Sequence, residues 1–567
     1  MEVKQRFTTW LEDEKIDPIT KEELTQLVGD DNEIYDRFYK QLEFGTGGLR
    51  GKLGAGPNRM NIYTVRMATQ ALAQVLKTNG EAEKGVAIAC DSRKMSKEFV
   101  TEAASVLVEN QIPVYVFNRI TPTPFLSFAV RQCQAGAGIV ITASHNPPEY
   151  NGYKAYGSDG VQILAETAEQ ISAVMKTLTI ADVKYANRPC ESPLWTWLDE
   201  DVYQKYYQQL HQLCPGRVEQ DLSLRVLYTP LHGTGGEFVP RALKEAGFTQ
   251  VDCVSEQLAP DGNFPTVGYP NPEEADSFRL AFAQAGDGKY DLIIATDPDG
   301  DRMGISVWEE EQYVLLNGNQ VGILLVDYLL QSLEAEEQER TTVITTIVTT
   351  EMIRPIVRKY GVHLVQTLTG FKYIGEQIGV LEQDGAEFLF GFEESYGYLA
   401  GSFVRDKDAV MASLLATQMT AYYKSKGITL STRLQQLMEE HGYYLERLRS
   451  YSFNSSVEAV KAKAFIESLR QESFREIANI PVRIFRDYQQ SVECNLETGE
   501  RKAIELPKED VLQWETVYGD RITLRPSGTE PKMKLYIGAV SDMRASTEEK
   551  LSAMEEAFTQ LIKGKYS

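Results

Sequence analysis

The sequence predicts an α/β protein. Three tandem α/β domains with mainly parallel mixed sheets come first, and a smaller C-terminal α+β domain follows, all around one central cleft. Three observations carry this reading. Short apolar runs alternate with amphipathic helical patterns, as in βαβ units. The alternation starts afresh at three places along the chain. With 567 residues, there is room for three or four domains of about 150 residues each.

Residues 1–40 read as charge-rich helices, with Trp10, Leu11, Ile34 and Tyr35 as packing positions. "GVAIAC" then reads as a buried strand, followed by a helix over "SKEFVTEAASVLVENQ" with Ser96 as its N-cap. "PVYVF" and "AGIVITA" are the next strands. The pattern restarts at "LRVLYTP", continues through the helix "FVPRALKEAG", the strand "VDCVSE" and a helix near Glu273 to Ala285, and reaches the strand "DLIIAT". A third start has the helix "NGNQVGILLVDYLLQSL", the strand "TTVITTIVT", the helix "EMIRPIVRKYG" and the strand "FLFGF". Beyond Leu445 the segments are less regular. "RITLRPSGTEPKMKLYIGAV" reads as strand, loop, strand, and an amphipathic helix closes the chain after Ser546. These breaks give an N-terminal extension (1–40) and domains at 41–205, 206–318, 319–442 and 443–567.

Hydrophobic residues make up 43% and charged residues 25% of the chain, ordinary values for a globular protein. The formal net charge of -23 argues against nucleic acid or an anionic membrane as partner. Any phosphate site must therefore be built locally, against the average field. The six cysteines stand far apart and form neither a disulfide framework nor a zinc site. The start has no apolar leader, and no run of 18 apolar residues follows. The expectation is a cytoplasmic protein acting on small molecules; the oligomeric state is open.

In open α/β sheets, ligands bind at the carboxyl ends of strands, so the loops there matter most. "ITASHNPPEYNGYK" places Ser144 on a rigid turn directly after a strand, as a nucleophile requires. An Asx or ST turn has the same look. "DPDGDRMG" spaces Asp297, Asp299 and Asp301 at i, i+2 and i+4, which on an extended backbone aims three carboxylates the same way. Pro298 and Gly300 between them mark a fixed loop. Such a cluster needs a cation, and all-oxygen ligands suit a hard ion such as Mg²⁺. An EF-hand fails on register, since Arg302 stands where its glycine belongs and Trp308 where its glutamate belongs. Arg302 beside the cluster can hold a phosphate oxygen. In "RPSGTEPK", Ser527, Gly528 and Thr529 can form an anion nest, with Arg525 gripping a phosphate through paired hydrogen bonds. "GFEESYGY" offers Glu393 and Ser395 to sugar hydroxyls. "TLTGFKYIG" offers Thr369, Gly370 and Lys372, and "VRDKDAV" offers Arg405 and Lys407. "FGTGGLRG" combines a Gly-rich turn with Arg50, and is not a Walker A loop. Taken singly, each loop also reads as an ordinary turn.

Together these loops resemble the signatures of the α-D-phosphohexomutases, in family order: "FGTGGLRG", "TASHNPPEYNGYK", "DPDGDR", "GFEESYG" and "RPSGTEPK". The nearest resemblance is to the long bacterial phosphoglucomutase branch, with phosphopentomutase-like relatives. It covers nearly the whole chain except the first 40 residues. The resemblance implies that Ser144 is carried as a phosphoserine, with Mg²⁺ held by its phosphoryl group together with Asp297, Asp299 and Asp301. It implies interconversion of glucose 1-phosphate and glucose 6-phosphate through glucose 1,6-bisphosphate. His145 and Lys154 are the candidates for proton transfer, unranked, with Arg50 as electrostatic support. Substrate would be held by Arg302, Thr369, Gly370, Lys372, Glu393, Ser395, Lys407, Arg525, Ser527, Gly528 and Thr529. Tyr396-Gly397 stands where phosphomannomutase-type members have Gly-His, which disfavours mannose 6-phosphate. Phosphomannomutase, phosphopentomutase and bisphosphate synthase activities stay open within the family. Outside it stand a metal-dependent sugar phosphatase, which would release inorganic phosphate, and a non-catalytic sugar-phosphate sensor, which has no use for a nucleophile beside a metal cluster.

Overall fold

The computed structural model describes residues 2–45, 47–213, 220–452, 456–471, 474–526 and 532–566. Its first sheet comprises β1 (Gly48–Lys52), β2 (Val86–Cys90), β3 (Val114–Phe117), β4 (Ala137–Ile141), β5 (Tyr150–Gly157) and β6 (Trp195–Leu198), in the order β1-β5-β4-β2-β3-β6. The run from β4 to β6 is parallel, while β5 and β1 add on antiparallel. Every residue of β2 and β4 is buried, as expected where helices cover both faces of a parallel sheet.

The second sheet is built from β7 (Val226–Thr229), β8 (Val251–Cys253), β9 (Leu292–Thr296), β10 (Met303–Glu309) and β11 (Gln312–Leu316), with β7 parallel to β8 and β9. The third has β12 (Thr341–Thr346) between the parallel strands β13 (His363–Thr367) and β14 (Glu387–Phe392), with β15 (Tyr398–Ala400) antiparallel at one edge. The fourth is antiparallel throughout: β16 (Tyr443–Ser452), β17 (Glu476–Ile477), β18 (Ile480–Asp487), β19 (Val492–Asn495), β20 (Arg501–Ala503), β21 (Leu512–Thr516), β22 (Arg521–Pro526) and β23 (Lys532–Ser541). The closing helix Arg544–Tyr566 buries Leu551, Met554, Phe558 and Ile562 against this sheet's core around Trp514. Three tandem α/β bodies and a β-rich fourth are the architecture expected from the sequence.

Three local expectations need correction. Tyr35 is 59% exposed and stacks on Tyr39; Phe7, Leu24, Ile34 and Phe38 form the core of the N-terminal helices, with Trp10 and Leu11 packed against it. Ser96 is the first residue of its helix rather than the cap. Met95, in the left-handed region at φ 64°, holds the cap position, and the Ser96 hydroxyl donates to Asp91 Oδ1 at 2.9 Å. The helix expected near Glu273 begins only at Arg279, after a 3₁₀ turn over Ala275–Phe278.

The three N-terminal helices (Glu2–Glu12, Pro18–Gln26, Asp31–Phe38) pack beneath the loop that follows β1. Arg37 pairs with Glu23 at 2.5 Å and donates to the Ala55 carbonyl at 3.3 Å, and Arg59 pairs with Asp36 at 2.6 Å. Among the described residues, no helix is long and apolar enough to cross a membrane.

One apolar cluster runs without a break through the first three bodies. At its centre Phe125 stacks on Tyr206 at 3.8 Å between ring centroids, with Tyr203, Tyr207 and Phe238 around them. The Tyr206 hydroxyl donates at 2.5 Å to Asp408, whose carboxylate also caps the helix Ala409–Ser425 through the Val410 and Met411 amides. Burial pushes the Asp408 carboxyl up to about 6, with the three hydrogen bonds opposing. A carboxyl whose folded value lies above its unfolded one binds its proton more tightly in the folded state. Its contribution is complete below about pH 4 and is lost as pH rises through about 6. Asp408→Asn keeps the shape and cannot ionise. Its melting temperature relative to the parent should therefore rise between pH 4 and pH 7; a difference that stays flat across that window contradicts the burial account.

Candidate active site

The loop after β4 is held from below. Ser144 is non-glycine yet sits at φ 52°, a left-handed conformation that costs free energy unless the surroundings impose it. The constraint comes from Arg93, in the loop after β2. Its guanidinium donates to the carbonyls of Ser144 (2.5 Å), Asn146, Pro147 (2.9 Å) and Tyr150 (3.1 Å). Arg93 is itself paired with Asp91 at 3.3 Å, both side chains fully enclosed, and lies 4.9 Å from the Phe264 ring of the second body. Thr142 Oγ1 accepts the Ser144 amide at 2.8 Å. The Ser144 side chain is thus aimed by backbone that cannot relax.

It is aimed at the loop after β9. Ser144 Oγ donates to Asp297 Oδ2 at 2.8 Å. Asp297, Asp299 and Asp301 are all buried, and one carboxylate oxygen from each lies within 4.8 Å of the other two. They converge because the loop is a turn rather than the extended run assumed from their spacing. The Gly300 amide donates to the Asp297 carbonyl at 3.0 Å, with Gly300 at φ 64°. The amides of Asp301 and Arg302 donate to Asp297 Oδ1 at 3.1 and 3.0 Å.

Three adjacent carboxylates require positive charge, and two of the bodies lend it. Lys154 on β5 contacts Asp299 at 2.8 Å and Asp301 at 3.3 Å. Lys407, after β15, contacts Asp301 at 3.2 Å and Asp406 at 3.0 Å. Thr123 adds a hydroxyl bond to Asp299 at 3.1 Å. Burial and the neighbouring Asp299 and Asp301 push the Asp297 carboxyl far up. Asp301 is held far down despite its burial, by Lys407, Lys154 and Arg302. Burial opposes the charge on Lys154, but Asp299 and Asp301 raise it above the ordinary lysine range. Oδ1 of Asp299 and Oδ1 of Asp301 are buried without a hydrogen-bond partner. Unpartnered buried carboxylate oxygens in a three-acid cluster fit a hard divalent cation.

His145 Nδ1 lies 3.2 Å from Ser144 Oγ. Burial and the charges of Arg302 and Arg50 hold its imidazole well below the usual range, so it is neutral. Arg50 on β1 donates to Asn146 Oδ1 at 3.1 Å. Arg302 pairs with Glu273 at 2.6 Å, and its backbone bridges Gly397. That bridge ties the acid loop to the loop after β14, where Glu393 Oε1 accepts the Gly370 amide at 2.9 Å. Thr369, beside Gly370 in the loop after β13, and Ser395, in the loop after β14, are partly buried.

The remaining residues form a second group. Arg525, at the end of β22, is 3.5 Å from Glu509. Burial lowers the Lys372 ammonium, with Arg525 adding to the effect and Glu509 opposing it. Lys372 of the third body and Arg525 of the fourth thus both act on the Glu509 carboxylate. Ser527, Gly528 and Thr529 lie outside the described residues.

The sequence reading passed over Arg93, Thr123, Glu273 and Asp406. For Arg93 a signal existed: "DSRKMS" follows a buried strand, as the other loops do. The others announce themselves only through their partners.

Known proteins of one family share the sequence and fold of this chain. Residues 41–181, 203–310 and 317–441 match, respectively, domains I, II and III of the family described as phosphoglucomutase/phosphomannomutase, alpha/beta/alpha. The chain is 37% identical to a phosphoglucomutase from Staphylococcus haemolyticus (strain JCSC1435), over 88% of this chain and 90% of that protein. It is 36% identical to one from Staphylococcus aureus (strain bovine RF122 / ET3-1), over 92% and 93%. Among solved structures it is similar to a phosphoglucomutase/phosphomannomutase family protein from Burkholderia thailandensis, with a TM-score of 0.68 at 18% identity, covering 93% of this chain and 98% of the other. It also shares its fold with an Aspergillus fumigatus N-acetylphosphoglucosamine mutase in complex with GlcNAc-6P and magnesium, with a TM-score of 0.52 at 13% identity, covering 98% and 99%.

The clamp on the Ser144 loop is open to a direct test. Arg93→Ala strands Asp91 and several carbonyls in the interior, so it should destabilise the protein by about 3–5 kcal/mol. Arg93→Lys restores the charge without the planar fork and should recover only part of that. Denaturant unfolding measures both. Equal stability of the lysine variant and the parent would show that charge alone matters.

Proposed function

Because the chain belongs to the phosphoglucomutase/phosphomannomutase family, an isomerase family that moves a phosphoryl group within a sugar phosphate, we propose that it interconverts glucose 1-phosphate and glucose 6-phosphate through a phosphorylated Ser144. The observation that carries this reading is the Ser144 hydroxyl, 2.8 Å from Asp297 in the buried acid cluster. A structural serine has no need of three carboxylates, two lysines and a clamped, strained turn.

Asp297, Asp299 and Asp301 are the residues that would hold Mg²⁺, which when bound supplies positive charge against phosphoryl oxygens. The chain's own groups do the rest. Phosphoryl transfer demands position and charge stabilisation more than covalent chemistry. The turn at φ 52° holds the Ser144 oxygen in place. Lys154, kept charged by Asp299 and Asp301, and Arg50 oppose the phosphoryl charge. His145, 3.2 Å from Ser144 Oγ, relays the proton lost by the attacking sugar hydroxyl to the Ser144 oxygen as the phosphoryl group leaves it, and reverses this when the phosphoryl group returns. Arg525 and Lys372, with Ser527, Gly528 and Thr529, hold the phosphate that is not being transferred, while Arg302, beside the acid cluster, meets an oxygen of the one that is. Glu393, Ser395, Thr369, Gly370 and Lys407 meet the sugar. The sugar accepts the phosphoryl group from Ser144, becomes glucose 1,6-bisphosphate, reorients, and returns its other phosphoryl group to Ser144. Enclosure of Ser144, which is 3% exposed, keeps water from competing for that group.

A coupled assay for glucose 6-phosphate, run beside one for free phosphate, tests the reading; stoichiometric phosphate release would mark a phosphatase instead. Ser144→Ala should abolish turnover, and peptide mapping of the parent should find phosphate on Ser144. Turnover undiminished in Ser144→Ala ends the assignment.

Arg525 acts in the ground state and the transition state alike, so its loss weakens binding more than chemistry. One charge-assisted contact of about 1.5–3 kcal/mol implies that Arg525→Ala raises KM about tenfold or more. Added glucose 1,6-bisphosphate should partly restore its rate by rephosphorylating Ser144. An unchanged KM with no response to bisphosphate would show that the distal phosphate sits elsewhere.

A further inference from the structure

Apart from the acid cluster, the third and fourth bodies meet around a cavity of about 450 Å³. One wall is the segment from Glu351 through the helix Ile353–Lys359, which contributes Arg354 and Arg358. The other is the fourth sheet, with Arg486 on β18, Glu515 on β21 and Arg521 on β22. Four arginines face two glutamates there, so the lining keeps two positive charges on a chain of net charge -23.

The two carboxylates are already shared. Glu351 pairs with both Arg354 and Arg521. Glu515 serves Arg486 at 3.0 Å, Arg521 at 3.2 Å and Arg483 at 2.9 Å. The Arg358 side chain makes no hydrogen bond or ion pair among the described residues, and it acts electrostatically on Tyr444, another residue of the lining.

We propose that this cleft binds a small phosphate-bearing anion, bridging Arg354 and Arg358 on one wall to Arg486 and Arg521 on the other. Guanidinium forks match phosphate oxygens in pairs. The volume lies within the range of small-ligand sites and exceeds what a lone phosphate fills, so the ligand carries a second phosphate or an organic part against Tyr444 and Tyr518. The site is separate from the one proposed for catalysis: Arg521 stands four residues before Arg525 on β22, about 13 Å along the strand. It nonetheless bears on it. Besides such ion pairs, the joint between the two bodies has a small apolar cluster of Ile347, Leu368, Tyr488 and Val511, with Val348, Tyr373, Ile504 and Leu506 packed against it and a 3.0 Å bond from Gln513 to the Ile347 carbonyl. An anion across the same joint would fix the angle at which Lys372 and Arg525 face one another.

The test is titration calorimetry in an Arg525→Ala background, which weakens the distal phosphate site, with pyrophosphate, inorganic phosphate and glucose 1-phosphate as separate arms. Pyrophosphate should bind once per chain, and Arg354→Ala/Arg358→Ala should weaken it by about tenfold or more. Arg358→Ala alone, which removes no side-chain hydrogen bond or ion pair among the described residues, should shift affinity in the same direction at an unchanged melting temperature. Tighter binding of glucose 1-phosphate than of the inorganic anions would identify a sugar phosphate as the source; the reverse order would identify an inorganic anion. Loss of all binding in the Arg525→Ala background, or equal titration of the double variant, overturns the proposal.

Discussion

Three buried carboxylates within 4.8 Å of one another set the condition that the rest of the molecule meets. Two like charges about 4 Å apart repel by about 4 kcal/mol even at the moderate effective dielectric of a protein. The offsetting charges do not come from the acid loop's own sheet alone. Lys154 stands on the first sheet and Lys407 beyond the third, while Arg302 belongs to the loop itself. The cluster is therefore tolerable only when the three bodies are assembled. Electrostatics at the site and packing between the bodies are one problem.

Packing answers it with rings. Phe125, Tyr203, Tyr206, Tyr207 and Phe238 close the first body on the second, and the helix Ala409–Ser425 lies across the second from the third. Loop ends that meet at the acids are thus anchored within a few residues of a rigid apolar mass. Arg93 does the same on a smaller scale. One guanidinium replaces four separate turn hydrogen bonds and leaves Ser144 no alternative conformation. Transfer between fixed oxygens depends on such placement, because an error of an ångström removes most of the benefit of proximity.

Much of this was legible in the sequence, and the gaps have a physical pattern. Buried parallel strands such as "GVAIAC" and "DLIIAT" are apolar at every position and bounded by loops, so strand order along the chain could be read directly. Acids at alternate positions after a strand gave the cluster its identity, although the turn that gathers them depends on hydrogen bonds to Asp297 Oδ1 that no spacing rule supplies. Ser96 misled because a serine at a helix start is usually its cap; here Asp91 draws its hydroxyl away. Tyr35 misled because an aromatic at helical spacing fits a packing face as well as an exposed one. Arg93 was missed although its loop follows a buried strand as the other site loops do. Thr123 and Glu273 act on residues far away in sequence, and pairing across 176 or 29 residues leaves no local trace.

The division of the apolar interior has a consequence for how such chains can be exchanged between relatives. One cluster spans residues from Ala87 to Met438, whereas the fourth sheet keeps its own core around Trp514 and touches the rest through a small apolar patch, ion pairs and the packing of Tyr443 and Tyr444. Four bodies by topology are two by cohesion. A crossover near Gly442 would hand over a module that brings its own interior. One placed between the earlier bodies would split a shared interior and ask unrelated aromatic rings to interlock. Inheritance by recombination should thus move the distal module freely and the first three bodies only as a block.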